Sequence, residues 1–365
     1  MMKVEKFIEM LQAKGFAPIT GVPCSIFKEL INYLQTDNAI KHYICSSEGE
    51  AMGLAGGFAL ANRIPVVYMQ SDGLGNAINP LSSLQLLYKL PALLLISWRA
   101  EPGIKDAPQH KIMGETLQDI LKVFKIPFYI LEDSVQYLED SLRKAKKYID
   151  ESSTPVAFIV KKGYFEKYNT PIKKVQEDAG YIRLDYLKIL ESFLKADDIV
   201  LGATGFSGRE LYQKMEIKGK FYMMGSMGCL ASIGLGLCES DPQRRVFALD
   251  GDGALLMKMG TLSTIGYYRP ANFIHILFNN SQYESTGGQK TVSSVVDFTQ
   301  VAKNCGYLSV LDINSPTEFG TMLEKIAQYA KPLFINIPIK SGTIAELGRP
   351  SDPPEAMRDA VQELF

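Results

Sequence analysis

An aspartate and an asparagine follow two neighbouring predicted strands in the second half of the chain. The turn Gly251-Asp252-Gly253 comes after the apolar run RRVFALD, and Asn279-Asn280 ends the next apolar run, FIHILFNN. Ligands of open α/β sheets bind at the carboxyl ends of the strands, so the two side chains are expected side by side. Carboxylate and carboxamide oxygens suit Mg²⁺, and the backbone N–H groups after Gly253 suit phosphate oxygens. The pattern predicts a site for Mg²⁺ and a diphosphate.

A glutamate in the first half, Glu48, also stands at a predicted strand end. It follows KHYICSS and opens a helical segment rich in small residues, EGEAMGLAGGFALANR. Apolar surroundings favour the protonated form of a carboxyl group, which helps it to share a proton. The alternative is an acid stabilised only by the helix dipole, and Glu50 fits that alternative better. Of the two glutamates, Glu48 is therefore the better candidate for an acid that shares a proton.

The elements that position these residues alternate between short β-rich runs and amphipathic segments, which is typical of parallel α/β sheets. The predicted strands are FAPITG, KHYICSS, PVVYMQ, PALLLIS, PFYILE and PVAFIV in the first half, and DDIVLGA, KFYMMG, RRVFALD, FIHILFN, YLSVLDI and PLFINIPI in the second. Helices are predicted near 25–34, 48–61, 76–88, 108–123 and 134–149, and one helix is predicted over 254–268. We predict two doubly wound parallel-sheet domains of similar architecture, 1–165 and 181–365, joined by a polar linker over 166–180.

The composition argues against several classes of function. The 39 Lys and Arg residues balance 40 Asp and Glu residues, which leaves no basic field for nucleic acid or an anionic membrane. The longest apolar runs, PALLLISW and GCLASIGLGLC, fall short of the ~20 residues that cross a bilayer. The amino-terminal MMKVEKFIEML predicts an amphipathic helix and not a secretory signal. Five scattered cysteines without a CxxC pair fit a reducing compartment, so we expect a cytoplasmic protein.

The Gly-Asp-Gly turn, the helix and strand after it and the closing asparagines resemble the cofactor motif of thiamine-diphosphate enzymes. The resemblance implies two cofactors, thiamine diphosphate and Mg²⁺, and a fold without a middle domain. It implies that Asp252, Asn280 and the backbone carbonyl of Gln282 bind Mg²⁺, with Asn279 as the alternative one residue away. The residues that it implies for cofactor binding are Thr204, Gly205, Ser207, Gly225, Met227, Gly251, Asp252, Gly253, Ala254 and Asn280.

Two further segments are similar to that family. Glu48 and the alanines and glycines after it match the glutamate that acts on N1′ of the cofactor's aminopyrimidine. FYMMGSMGCLASIGLGL matches the Gly-Ser-apolar-Gly segment, which implies that Met227 props the cofactor bent and that the carbonyl of Gly225 holds the 4′-amino group. Because family members bring the glutamate and the diphosphate domain together across a dimer interface, the resemblance also implies self-association with the active site between subunits.

Four loops resemble those of phosphonopyruvate decarboxylases within this family, with sulfopyruvate decarboxylases close behind. They are GVPCS (21–25), MQSDGLGNAINPLSSL (69–84), ISWRAEPGIKDAPQHKIMG (96–114) and YESTGGQ (283–289). The implied reaction converts 3-phosphonopyruvate, a 2-oxo acid with two or three negative charges, to phosphonoacetaldehyde and CO₂ in phosphonate biosynthesis. The chain departs from the usual GVPDS, QNSGLGN and DEPQH at Cys24, at Ser71-Asp72 and at Ala107.

A pocket for such an anion needs cationic side chains and hydrogen-bond donors. The candidate substrate residues are Ser25, Arg99, Lys105, His110, Gln289 and Lys290. Arg99 and Lys105 could instead be solvated surface charges, and His110 could be a structural histidine beside Asp106. His110 is also the candidate proton donor or acceptor, because imidazole titrates near neutral pH. The other histidines, His42 and His275, lie within strand patterns and are expected to be structural.

Four other functions are alternatives to the decarboxylation of phosphonopyruvate. Sulfopyruvate decarboxylation would use the same chemistry on a sulfonate. A carboligase would carry a middle domain that this sequence lacks, and GLGNAINP lacks the complete G-x-G-x-x-G pattern of a Rossmann oxidoreductase. A non-catalytic nucleotide-binding or regulatory module is the alternative from a different class. The presence of Glu48, Asp252 and Asn280 argues against that module.

Overall fold

The computed structural model describes residues 1–36, 40–169 and 180–365. The chain divides into two compact units, Met1–Lys173 and Lys174–Phe365. Most of the predicted linker 166–180 lies outside the described residues, since 170–179 are not among them. Each unit is an α/β domain with a six-stranded parallel sheet, as the alternation of strands and helices predicts.

The sheet of the first unit has the strand order β2-β1-β3-β4-β6-β5. Alternate residues of β4 enter two separate hydrophobic clusters: Leu93 and Leu95 belong to one, Leu94 and Ile96 to the other. Successive side chains of a strand point to opposite faces, so both faces of this sheet are covered. All six predicted strands are present: β1 Phe16–Gly21, β2 His42–Ile44, β3 Ile64–Gln70, β4 Leu93–Ser97, β5 Phe128–Ile130 and β6 Val156–Val160.

The helices of the first unit fall where the apolar periodicity predicts them. Pro108–His110 form a short 3-10 turn, and Leu81–Leu86 form a π-helical turn directly after a helix that ends in proline. The α-helices are α1 Val4–Ala13, α2 Lys28–Thr36, α3 Glu48–Leu60, α4 Leu74–Pro80, α5 Lys111–Val123 and α6 Val135–Ser152.

The sheet of the second unit has the order β13-β14-β10-β9-β7-β8. Phe278 of β10 stands opposite Gly251 of β9, so these two neighbouring strands end together at one edge. The six predicted strands are present, and a short antiparallel hairpin adds two more: β7 Ile199–Gly202, β8 Lys220–Tyr222, β9 Val246–Gly251, β10 Phe273–Asn279, β11 Gln282–Tyr283, β12 Gln289–Lys290, β13 Ser309–Asp312 and β14 Leu333–Pro338.

One predicted helix of this unit is wrong in its extent. The single helix expected over 254–268 is two helices, because the backbone of Lys258 leaves the helical conformation (φ −137°, ψ 44°) and Gly260 caps the second helix. Glycine in a helix interior costs ~1 kcal/mol relative to alanine, which favours a break at this position. The α-helices are α7 Arg183–Phe193, α8 Phe206–Lys214, α9 Leu230–Ser240, α10 Asp252–Met257, α11 Thr261–Tyr268, α12 Phe298–Asn304, α13 Pro316–Glu324 and α14 Pro354–Gln362.

No helix within residues 1–36, 40–169 and 180–365 is both long enough and apolar enough to cross a membrane.

Candidate active site

Glu48 occupies the first turn of α3, immediately after the N-cap residue Ser47. Its side chain is 2% exposed, and Asn76 Nδ2 donates a hydrogen bond of 2.9 Å to Glu48 Oε2. Glu50 is exposed and instead accepts a 2.9 Å hydrogen bond from the backbone N–H of Ser46. The structure therefore gives the two glutamates different environments, a buried one for Glu48 and a helix-capping one for Glu50.

The backbone of Gly73 closes against the carboxylate of Glu48. A Cβ atom at position 73 would lie 2.3 Å from Glu48 Oε1, inside van der Waals contact. Gly73 and Asn76 both belong to the segment DGLGN after β3, so this loop shapes the space that holds the acid. We did not predict either residue as part of the site, although their loop is one of the segments that resemble the decarboxylases.

His110 pairs with Asp72 in the same unit. Nδ1 of His110 lies 2.7 Å from Asp72 Oδ2, and its Nε2 lies 3.4 Å from the amide nitrogen of Gln109. The ring is 7% exposed, which places it below the surface of the loop. Asp72 follows β3 at the carboxyl edge of the sheet. The expected neighbour of His110, Asp106, is engaged elsewhere.

Arg99 forms a bidentate ion pair with Asp106. Its Nε and Nη2 each donate a 2.7 Å hydrogen bond to one of the carboxylate oxygens, and the backbone N–H groups of Ala100 and Ala107 donate to the same carboxylate at 3.1 and 2.8 Å. These bonds, with Arg99 the largest contributor, hold the pKa of Asp106 well below its usual range. The guanidinium is thus fixed within its own loop.

The remaining substrate candidates of this unit are less enclosed. Lys105 and Ser25 are exposed. Cys24, at the position where the related turn has aspartate, is buried, and its Sγ lies 3.4 Å from Ser97 Oγ. Burial raises the pKa of the Cys24 thiol, while the Ser97 hydroxyl and, more weakly, Arg99 lower it. Position 24 therefore presents a neutral thiol where related turns present a carboxylate.

In the second unit, Asp252 opens α10 at the end of β9 and is almost completely buried. Thr291 Oγ1 donates a 2.5 Å hydrogen bond to Asp252 Oδ2, and the same oxygen lies 2.8 Å from Ser293 Oγ. Burial raises the pKa of Asp252, against the lowering effect of the Thr291 and Ser293 hydroxyls. A cation beside this carboxylate would favour its ionised form.

Asn280 is held at both ends of its amide. Its Oδ1 accepts a 3.0 Å hydrogen bond from the backbone N–H of Gln282, and its Nδ2 donates at 3.1 Å to Glu284 Oε2. Ser281 between them has a left-handed backbone (φ 56°), an uncommon conformation for a residue other than glycine. Asn279 Oδ1 instead accepts from the backbone N–H of Ser281 at 3.2 Å. Such backbone strain clusters at ligand-binding sites.

The donors of this edge fit Mg²⁺. Asp252 could supply a carboxylate, Asn280 a carboxamide and Gln282 a backbone carbonyl, which are the kinds of oxygen donor that this ion prefers. Within the described residues, no group of three or more His, Cys, Asp or Glu side chains could hold a metal ion. A single carboxylate with neutral oxygens matches an ion that also binds phosphate oxygens.

A buried arginine shares a hydrogen-bond acceptor, Glu284, with Asn280. Arg183, the first residue of α7, is 4% exposed and donates to Glu210 Oε2 at 3.0 Å and to Glu284 Oε2 at 3.2 Å. Glu284 thereby connects the arginine with the amide of Asn280. Sequence reasoning missed this cluster, because its members are 27 and 101 residues from Arg183 and no local pattern links them.

Other residues implied for the cofactor lie on loops of the second unit and in the first turn of α8. Thr204 Oγ1 donates a 2.8 Å hydrogen bond to the carbonyl oxygen of Gly225, and Gly205 caps α8 with a positive φ of 103°. Ser207 is buried in the first turn of that helix. Met227 is partly buried against the hydrophobic core. The structure thus joins the Thr204 loop directly to the Gly225 loop.

The hairpin residues divide between interior and surface. Gln289 is buried, and its amide bonds within the hairpin to Thr286, accepting from Thr286 Oγ1 at 2.8 Å and donating to the Thr286 carbonyl at 3.3 Å. Lys290 is exposed. The amide of Gln289 therefore makes its hydrogen bonds within the hairpin.

The remaining histidines have structural surroundings. His42 Nε2 lies 2.9 Å from the Tyr68 hydroxyl, and burial lowers the pKa of His42 to about 4. His275 is fully buried in β10, with Nδ1 3.0 Å from the Tyr307 hydroxyl and Nε2 3.3 Å from Asp250 Oδ2. Both rings lie within strands and contact neighbouring side chains of the interior, which agrees with the structural role expected for them.

Comparison with family models agrees with this architecture. Residues 1–123 match the thiamine pyrophosphate enzyme, N-terminal TPP binding domain, and residues 203–337 match the thiamine pyrophosphate enzyme, C-terminal TPP binding domain. The order of the two domains is the one that the Glu48 and Asp252 segments predict.

Some relatives extend over nearly the whole chain, and others match only one part of it. A phosphonopyruvate decarboxylase from Streptomyces hygroscopicus is 32% identical over 100% of this chain and 94% of its own length. A sulfopyruvate decarboxylase from Methanosarcina acetivorans is 29% identical over 99% of this chain and 97% of its own length. The sulfopyruvate decarboxylase subunit beta of Methanocaldococcus jannaschii is 40% identical over 38% of this chain and 72% of its own length. The chain belongs to the thiamine-diphosphate-dependent enzymes, and within them to the family of phosphonopyruvate and sulfopyruvate decarboxylases.

Proposed function

We propose that the chain decarboxylates 3-phosphonopyruvate to phosphonoacetaldehyde and CO₂, with thiamine diphosphate and Mg²⁺ as cofactors. The observation that carries the proposal is the full-length similarity to a phosphonopyruvate decarboxylase, combined with a buried glutamate, Glu48, at the predicted position. The alternative of a non-catalytic nucleotide-binding or regulatory module is disfavoured. Burying the carboxyl group of Glu48 costs free energy even with the amide of Asn76 as its hydrogen-bond partner, and a non-catalytic domain would not need to bear this cost.

The roles of the residues follow from their surroundings. Thiamine diphosphate, when bound, supplies a nucleophilic carbon and an electron sink for decarboxylation. Glu48 would hold a proton at its carboxyl oxygen against the cofactor ring, in the orientation set by Asn76. Asp252, Asn280 and the carbonyl of Gln282 would hold Mg²⁺ and through it the diphosphate.

The substrate would be bound by the loops of the first unit together with Lys290 of the second unit. Arg99 is oriented by Asp106, so its guanidinium would attract the substrate's anionic groups without moving. His110 would give or take a proton at the reacting group or bind the phosphonate. Lys105, Lys290 and Ser25 are exposed, where they could contact a substrate that enters the site. These assignments follow the loops that resemble the decarboxylases.

We also propose which parts of the active site each domain carries. Residues 1–165 would form the domain that carries Glu48 and the substrate loops, and 181–365 the domain that binds diphosphate and Mg²⁺. The related subunit beta matches 38% of this chain, which supports a family in which these parts can be separate polypeptides that assemble. The enzyme would self-associate with its active site between subunits and act in the cytoplasm.

Sulfopyruvate decarboxylation is the second candidate. The full-length relative from Methanosarcina acetivorans favours it almost as strongly, since its identity to this chain is 29% against 32%. A sulfonate and a phosphonate are both tetrahedral anions, and they differ in charge and in the ability to donate a hydrogen bond when protonated. The choice between them depends on the substrate loops and not on the cofactor site.

The test is CO₂ release by the purified protein with Mg²⁺ and thiamine diphosphate, with phosphonopyruvate, sulfopyruvate and pyruvate offered separately. We expect the highest kcat/KM with phosphonopyruvate. Preference for sulfopyruvate would replace the substrate and keep the chemistry, and absence of turnover with all three would refute the proposal. Glu48→Gln should bind cofactor in calorimetry but lose turnover, whereas near-normal turnover would refute the role of Glu48.

A further inference from the structure

The ring of His110 lies between an oxygen atom that accepts hydrogen bonds and a nitrogen atom that donates them. Its Nδ1 lies 2.7 Å from a carboxylate oxygen of Asp72, and its Nε2 lies 3.4 Å from the amide nitrogen of Gln109. An ionised carboxylate only accepts hydrogen bonds, and an amide NH₂ group only donates them. The two contacts therefore constrain opposite edges of the same ring.

Both constraints select one tautomer. A neutral imidazole carries its proton on one nitrogen, and the hydrogen bond made by one nitrogen decides the state of the other. The 2.7 Å contact with Asp72 requires a proton on Nδ1, and the longer 3.4 Å contact with the Gln109 NH₂ group fits a lone pair on Nε2. Asp106, which lies in the same loop as His110, is bound by Arg99 through two 2.7 Å hydrogen bonds and does not compete for the ring.

We propose that Asp72 is a positioning residue that fixes His110 as the Nδ1–H tautomer and leaves Nε2 as the acceptor. The inference deepens the proposed function and rests on it for the reaction served. In a proton transfer, the Nε2 lone pair forms the new N–H bond, and the donor's bond to that proton breaks with its electron pair left on the donor. The resulting imidazolium faces the Asp72 carboxylate. The reverse step returns the same proton from Nε2.

The test reads the tautomer directly. The sequence contains only three histidines, so solid-state ¹⁵N NMR of the full-length protein labelled with ¹⁵N-histidine gives three pairs of ring signals. The protein is loaded with Mg²⁺ and thiamine diphosphate and measured at alkaline pH, where imidazole is neutral. His110→Asn identifies the pair that belongs to this ring. We expect a protonated Nδ1 and an unprotonated Nε2.

Two variants separate the contributions of the partners. Asp72→Ala should move the proton of His110 partly or wholly to Nε2, whereas Gln109→Ala, which removes the longer contact, should keep the original pattern. In the decarboxylation assay, Asp72→Ala should lower kcat by about 10²-fold, the lower end of general acid–base contributions, with a smaller change in KM. Circular dichroism confirms that each variant is folded.

Each outcome decides the inference. A wild-type ring protonated on Nε2, or an Asp72→Ala variant with the wild-type pattern, overturns it, and the wild-type spectrum alone suffices if the variant does not fold. A protein with no decarboxylase activity whose His110 still shows the Asp72-dependent pattern refutes the proposed function and supports the tautomer. An active enzyme with Nε2–H does the reverse.

Discussion

Two glycines of one short segment provide a controlled test of the role of Glu48. Gly73 has a helical backbone (φ −66°, ψ −23°) that alanine can adopt, but its Cβ would lie 2.3 Å from Glu48 Oε1. Gly75, two residues later in α4, has no heavy atom within 4 Å of the position of its Cβ apart from its chain neighbours and the backbone of its own helix. Gly73→Ala should therefore displace the carboxylate, and Gly75→Ala should not touch it.

The size of the effect follows from the contact distance. Non-bonded atoms lie about 3.5 Å apart at optimal separation, so the Glu48 carboxylate must retreat by roughly 1 Å from an alanine at position 73. The displacement would also disturb the 2.9 Å hydrogen bond from Asn76. A misplacement of about 1 Å can cost about 10²-fold in rate, which corresponds to roughly 2.7 kcal/mol in the activation barrier. Because the flexible end of a side chain moves, the fold itself should persist.

The assay compares initial rates of CO₂ release at saturating cofactor, together with thermal unfolding of each variant. We expect Gly73→Ala to lose about 10²-fold in kcat with a nearly unchanged melting temperature. Gly75→Ala should keep its rate and gain up to about 1 kcal/mol of stability, because alanine favours a helix over glycine. Equal rates for the two variants would show that the position of the Glu48 carboxylate does not limit catalysis.

Three further perturbations test other parts of the structure. Asp252→Ala should abolish Mg²⁺-dependent binding of thiamine diphosphate in calorimetry, and unchanged affinity would contradict the metal site. Arg183→Met leaves the carboxylates of Glu210 and Glu284 buried without their cation, so the free energy of unfolding in urea should fall by about 3–5 kcal/mol; a loss below about 1 kcal/mol would contradict this account. Burial lowers the pKa of His42 to about 4, against about 6.5 in the unfolded chain. Protonation thus favours unfolding, and the free energy of unfolding should decline by up to about 3 kcal/mol as the pH falls from 6.5 to 4. The variant His42→Gln should lack this part of the decline, and an unaltered pH profile would refute it.

The strands could be predicted because each buried strand is a run of consecutive apolar residues in the sequence. PALLLIS becomes β4, with every residue of Leu93–Ser97 buried, since a central parallel strand is covered on both faces. The break between α10 and α11 and the hairpin of β11 and β12 were not predicted. Both depend on local backbone geometry, such as the positive φ of Gly287 and Gly288, which hydrophobic periodicity does not register.

The site could be predicted in its residues but not in its contacts. Glu48 and Asp252 follow strands, and a strand end is visible in the sequence. The pairing of Asp72 with His110 spans 38 residues and exists only because the loops after β3 and β4 adjoin in the folded sheet. Strand order is a property of the whole sheet, so no window of sequence reveals it. Arg99 and Asp106 are only seven residues apart, and their opposite charges were the one local signal of a pair.

The separate interiors of the two units bear on how the gene for this enzyme could be organised. The hydrophobic clusters of the first unit use residues from Met2 to Phe165, and those of the second use residues from Leu184 to Val361, so each half carries the apolar residues for its own folding. A single reading frame guarantees equal amounts of both halves and a high effective concentration of one for the other. Divided into two genes, the same enzyme would gain independent control of each half, and its activity would become sensitive to dilution and to unequal expression.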